Sequence, residues 1–161
     1  MIKNYIQVNH DIKFRCIKDT PNDNEWCWRA KVLLNSRNIE VEIDQEFHNN
    51  TEIDWKHVEQ FIGFLQSDAP LTKLLEEGKA RLLQLGLNLY EHKEEVKQWE
   101  MLFDQTIYYN GQSNNNSSKT SYSLVFNFMK DKKNNIIGDK YGMYLVEVED
   151  QEIIDVQRIE C

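Results

Sequence analysis

From Glu25 to Leu34 the chain alternates with a period of two: Trp26, Trp28, Ala30, Val32 and Leu34 fall on one side, Glu25, Cys27, Arg29, Lys31 and Leu33 on the other. On a helix such a period would scatter apolar groups around the axis, whereas on a strand it collects them on one face. The even residues are therefore the core face, and both tryptophans turn inward. The same rhythm recurs where Ile12, Phe14 and Cys16 alternate with Lys13 and Arg15, and where Ile39, Val41 and Ile43 alternate with Glu40, Glu42 and Asp44. Strands with one wet side are the mark of an antiparallel sheet covered on a single face. The polar segments TPNDNE (20–25) and NSRN (35–38) supply the turns between them.

Beyond residue 50 the spacing changes. Thr51 is a candidate N-cap with Asp54 three places on, and Val58, Phe61, Ile62 and Leu65 form an i, i+3, i+4, i+7 stripe, which predicts a helix over 53–66. SDAP interrupts the pattern. Leu71, Leu74, Leu75, Leu82, Leu85 and Leu89 then share one side of a second, longer helix. Gly78 and Gly86 weaken that helix by about 1 kcal/mol each relative to alanine, so a neighbour must pack closely at those points.

Alternation returns in MLFDQTIYY (101–109), a strand, although VKQWEMLF also fits a helical period. The two adjacent tyrosines there point to opposite faces, so one should be exposed. NGQSNNNSSKTS (110–121) reads as a polar loop. Tyr122, Leu124, Phe126 and Phe128 alternate with Ser123, Val125, Asn127 and Met129, which predicts another strand buried on one face. In the tail, a two-residue loop at Asp150-Gln151 would set Asp155 opposite Val146. A three-residue loop, Glu149 to Gln151, pairs Val146 with Ile154 and Tyr144 with Val156 and is the expected register. The class is α+β: an antiparallel sheet with a two-helix layer packed on one face, in the order strands, helices, strands. The expected organisation is a single domain over 1–161 with a polar Asn/Ser-rich loop at about 110–121.

The length of 161 residues and a hydrophobic content of 40% suffice for a packed core without disulfides. Neither a leader pattern nor a run approaching the ~20 apolar residues of a bilayer span is seen, so a cytoplasmic, membrane-free protein is expected. Three widely spaced cysteines (16, 27 and 161) predict reduced thiols. The net charge of −8 divides as −1 over 1–50, −5 over 51–110 and −2 over 111–161. An acidic surface disfavours nucleic acid and attracts a basic protein partner, while also serving simple solubility.

Cys27 sits between two tryptophans and two residues before Arg29, which raises the question of a primed thiol. Symmetric closure across 35–38 would pair Arg29 with Asp44, Lys31 with Glu42 and Cys27 with Glu46. A carboxylate beside the sulfur suppresses the thiolate, so no catalytic residue is assigned. Asp54 with His57, and His92 with Glu95, are i, i+3 pairs that offer two metal ligands each; two ligands do not make a site, and no metal is expected. The six glycines form neither a phosphate loop nor a dinucleotide turn, and GxSxG is missing, so no cofactor is expected. KDKK (130–133) reads as a solubilising turn.

The 20-residue tail YGMYLVEVEDQEIIDVQRIE (141–160) resembles the end of uncharacterised bacterial domains grouped with the immunity proteins of polymorphic-toxin systems, with Gln151 where a turn glycine would be expected. The resemblance implies a non-enzymatic protein that binds and masks a toxin domain. The function expected is thus a cytoplasmic protein-binding domain, with the carboxylates Glu76, Glu77, Glu91, Glu94 and Glu95 as candidate partner-binding residues. The alternatives are a small enzyme whose polar residues converge only in three dimensions, and a structural domain that associates with itself as a homo-oligomer.

Overall fold

The computed structural model describes residues 5–17, 25–46, 53–67, 70–91, 93–97, 100–112, 119–130, 136–138 and 142–160. Strands β1 (Tyr5–Gln7), β2 (Lys13–Ile17), β3 (Glu25–Leu34) and β4 (Arg37–Glu46) come first. Helices α1 (Trp55–Ser67), α2 (Pro70–Leu89) and α3 (Lys93–Val96) follow. Strands β5 (Glu100–Gln112), β6 (Thr120–Lys130), β7 (Ile136–Gly138), β8 (Gly142–Glu149) and β9 (Glu152–Glu160) complete the chain. This is the expected α+β order. The residues gather into two compact units, one of 1–68 with 105–120 and one of 69–104 with 121–161. No helix among the described residues is long and apolar enough to cross a membrane.

In the first unit β1, β2, β3 and β4 form an antiparallel meander, and β4 pairs with β5 in parallel. The sheet is therefore mixed, where an antiparallel one was expected. The reason lies in connectivity: β4 and β5 are separated by the helical segment, and a long crossover, unlike a hairpin, can deliver a strand in the same direction. The β3–β4 turn holds only Asn35 and Ser36, both left-handed with φ of 47° and 64°. Such a two-residue turn matches the right-handed twist of its strands and tolerates asparagine in that conformation. It shifts the ladder by two positions from the expected closure: Arg29 faces Glu42, not Asp44; Lys31 faces Glu40; and Cys27 faces Asp44, not Glu46. A shift of two preserves the faces. Trp28, Ala30, Val32 and Leu34 are buried and Leu33 is exposed, while Trp26, expected in the core, is only half-buried.

Helix α1 covers this core with the predicted stripe of Val58, Phe61, Ile62 and Leu65, all buried. Its first residue, Trp55, stands between Phe14 and Trp28, with ring centroids 5.2 Å from each. The N-cap is Asp54, whose Oδ1 accepts the His57 amide at 3.1 Å. The expected cap, Thr51, lies outside the described residues.

In the second unit, α2 packs against β8 and β9. Leu71, Leu74, Leu75 and Leu82 are buried, whereas Leu89, expected on the same side, is 54% exposed at the helix end. Both glycines meet the close neighbours their presence implied: a methyl group at Gly78 would sit 2.9 Å from Val146 Cγ2, and one at Gly86 would sit 3.3 Å from Val96 Cγ1. Strand β6 pairs with β7 and β8. Its residues Tyr122 to Phe126 are buried on both faces, not on one. The alternation misled because Ser123, a polar residue, is among the buried ones at 3% exposure. The strands β5 and β6 also extend into the tract expected as loop, claiming 110–112 and 120–121, while 113–118 lie outside the described residues.

The tail hairpin turns on two residues, Asp150 and Gln151, with Asp150 left-handed at φ 51°. The expected three-residue loop is not used. Glu149 faces Glu152 and Val148 faces Ile153, after which a bulge shifts the ladder by one, so that Glu147 faces Asp155 and Val146 faces Val156. The bulge avoids the same clash that the longer loop was meant to avoid, since Asp155 no longer opposes Val146.

Candidate functional site

The wet face of the first unit carries its densest polar chemistry. Because β1 to β5 are in register, outward residues line up in rows across the strands. One continuous row reads Tyr5, Arg15, Arg29, Glu42 and Tyr108, each residue directly opposite the next. Beside it Gln7 faces Lys13, and Lys31, Glu40 and Thr106 face one another in turn. On the other side Ile17, Cys27 and Asp44 form a third row. Cations therefore occupy β2 and β3, and carboxylates occupy β4.

Arg29 Nε is 3.0 Å from Glu42 Oε1, an ion pair across β3 and β4. That buried nitrogen completes no hydrogen bond among the described residues, so the pair is held by charge more than by direction. Burial, a hydrogen bond with Glu40 and the nearby charge of Asp44 push the Glu42 carboxyl up to about 7 in spite of Arg29. The three carboxyl groups stand at every second position of β4, so the middle one has a like charge on either side.

Cys27 lies 4.0 Å from Glu42 Oε2, and burial, with Glu42 and Asp44 nearby, pushes its thiol up to about 11 although Arg29 pulls the other way. Burial, with the same two carboxyls, pushes the Tyr108 phenol up to about 12. At neutral pH both are protonated and poor nucleophiles. The expectation of a suppressed thiol holds with different carboxylates: Asp44 and Glu42 take the part foreseen for Glu46. The sign of the effect could be read from the alternation of acids along β4, but its register could not.

Asp54 and His57 turn to different partners. Asp54 caps α1, while the ring nitrogens of His57 meet the hydroxyls of Tyr109 and of Thr120, the latter at 3.2 Å. Tyr109 is buried and Tyr108 half-buried, so neither of the adjacent tyrosines is the exposed one expected. No group of three metal-ligating side chains occurs among the described residues. His92 and most of KDKK lie outside them.

Of the candidate partner-binding carboxylates, Glu91 and Glu94 are exposed at the corner between α2 and α3, close in sequence to the exposed Leu89. Glu94 bridges Lys97 at 3.0 Å, and Glu77 bridges Arg81 at 2.8 Å one turn along α2. Glu76 is exposed, but it and Glu77 precede Leu89 by more than three helical turns, roughly 20 Å of helix rise. The side chain of Glu95 is outside the described set. Sequence reasoning missed Leu89 as a surface group because its stripe position suited a core residue. The signal that could have found it is its place at the helix end, two residues before the charged segment that begins at Glu91. No protein-family model matches this chain, and neither does any curated protein or solved structure.

Proposed function

We propose that the chain is a cytoplasmic, non-enzymatic protein-binding domain that meets a basic partner through the α2–α3 corner of its second unit, in the manner of the immunity proteins its tail resembles. The observation that carries this reading is Leu89, 54% exposed, with the exposed carboxylates Glu91 and Glu94 following it. An exposed apolar side chain followed by exposed carboxylates offers a partner both an apolar contact and charges to meet. The corner is also pre-shaped: Val96, 1% exposed, packs on Gly86, and the Tyr90 hydroxyl hydrogen-bonds the Tyr144 hydroxyl at 2.8 Å. A surface already fixed before binding loses less conformational entropy when a partner arrives.

The ion pair of Glu94 with Lys97 is too exposed to compete strongly with an incoming cation. Steering by Glu91 and Glu94, with Glu76 and Glu77 adding long-range field, should act on the association rate. A tagged chain used to capture the partner from the producing cell, followed by association kinetics over 0.05–1 M salt, tests the reading, the Debye length shrinking from above ~10 Å to ~3 Å. A Glu76, Glu77, Glu91 and Glu94→Gln variant should associate more slowly at low salt, and Leu89→Ala should dissociate faster. A partner that binds both variants as it binds the wild type would remove the corner from the reading.

A second reading, a small enzyme, has one feature in its favour: Glu42 titrates near neutrality beside a guanidinium. Against it, the potential nucleophiles Cys27 and Tyr108 are both held protonated.

A further inference from the structure

We propose that the groove over β2 and β3 in the first unit is a binding site for a small multivalent oxyanion of the phosphate type. Lys13, Arg15, Arg29 and Lys31 line it, against Asp11 and Glu40, around an open cavity of about 460 Å³. That volume falls within the range of small-molecule sites.

The register makes the argument. Arg15 lies directly opposite Arg29, and Lys13 and Lys31 line the same groove. Opposed cations repel across a ladder, and a multivalent anion held between them would turn that repulsion into shared attraction. On the neighbouring pair of strands the charges do match, with Arg29 opposite Glu42 and Lys31 opposite Glu40. Among strands β1 to β4 the opposed cations thus lie on β2 against β3, whereas the like-charged pair of β3–β4, Glu25 opposite Glu46, is acidic. Arg15 and Lys31 are exposed, and among the described residues neither has an ion-pair partner. Arg29 is held in place by Glu42, and the Lys13 ammonium sits 3.8 Å over the Tyr5 ring, so two of the four cations are already oriented. Guanidinium groups on directly opposed residues can each present a planar fork of donors to a phosphoryl group between them.

The ligand is small, not a polymer. Asp11 and Glu40 border the groove, Glu42 and Asp44 continue along β4, and the chain carries −8 overall, so an extended polyanion would be repelled just beyond the cations.

The test is a titration of pyrophosphate at 0.15 M salt, followed by backbone amide shifts. Saturable shifts should appear in residues 13–17 and 27–31. Arg15→Gln with Lys31→Gln should weaken binding by roughly tenfold or more, and Lys31→Gln alone by severalfold, the latter guarding against a double variant that fails to fold. Lys73→Gln, on α2, should bind as the wild type does. The double variant should also melt no lower than the wild type, because it relieves like-charge opposition. Absence of saturable shifts in those strands would overturn the proposal. So would wild-type binding by the Arg15/Lys31 variants, or an equal loss in Lys73→Gln, which would reduce the groove to a charged surface that discourages strand pairing.

Discussion

The hairpins β3–β4 and β8–β9 share a two-residue turn with a left-handed residue, yet they diverge beyond it. In β3–β4 ten pairs run without interruption from Glu25 opposite Glu46 to Leu34 opposite Arg37. In β8–β9 the ladder slips by one between Glu147 and Val148. The difference follows from what each strand places on each face. Residues 26–34 and 37–44 alternate almost without fault, so one register satisfies every pair. Residues 152–156 contain the doublet Ile153-Ile154, of which one is buried at 8% and the other 49% exposed. A strict continuation from the turn would set Asp155 against Val146; the bulge at Ile154 realigns Val156 with Val146 at the cost of one extra residue. Apolar facing decides register, and the chain deforms to keep it.

The largest effect should come from breaking the core side of the regular hairpin. Trp28 is 5% exposed and edge-on to Trp55, so Trp28→Ala should lower unfolding free energy by about 3–5 kcal/mol in chemical denaturation. Trp26→Ala, at a half-buried position, should cost clearly less. Equal losses would mean that the even face is not graded from turn to strand end.

In the second unit the corresponding constraint is the approach of α2 to β8. Gly78→Ala puts a methyl 2.9 Å from Val146 and should destabilise by about 1–3 kcal/mol despite the better helix propensity of alanine. Gly86→Ala meets Val96 at 3.3 Å, and its smaller clash should be largely offset by the ~1 kcal/mol of propensity. Thermal denaturation of both variants measures the gap, and a Gly78→Ala protein as stable as the wild type would show that Val146 yields freely.

The wet face of β3–β4 should reveal itself through pH. Glu42 holds its proton in the folded state up to about 7, against an ordinary value of 4.5. The stability this contributes is fully present below pH 4.5 and is lost as pH rises through 7. Glu42→Gln should remove that slope, on the order of 1–2 kcal/mol after screening, from unfolding free energies measured between pH 4.5 and 8. A variant with the wild-type slope would place the raised carboxyl elsewhere.

The parts legible in the sequence were those set by local periodicity. The stripe of α1, the strand of 101–109 and the near neighbours of Gly78 and Gly86 all follow from spacing or from the cost of glycine. Parallel pairing of β4 with β5 and the two-sided burial of β6 depend on partners far along the chain, which leave no local trace. The site lies between these cases. That Cys27 and Arg29 share a face with the acids of β4 was readable, because the faces survive a shift of two. Which acid meets which partner was not, because that depends on whether the NSRN turn closes on two residues or four. The opposition of Arg15 to Arg29 requires the β2–β3 register, which the sequence leaves open across 18–24.

The central claim is that the polar face of β3–β4 is electrostatic and that its cysteine is not a primed nucleophile. Alkylation of Cys27 by iodoacetamide tests this most directly, with Cys16 and Cys161 replaced by serine so that one thiol reports. The thiol pushed up to about 11 by burial, Glu42 and Asp44 predicts a rate still rising through pH 9.5, and Glu42→Gln should move the profile toward lower pH. A rate that levels off below pH 9 in the wild-type background would mean that Arg29 prevails over the carboxyls and would contradict the account.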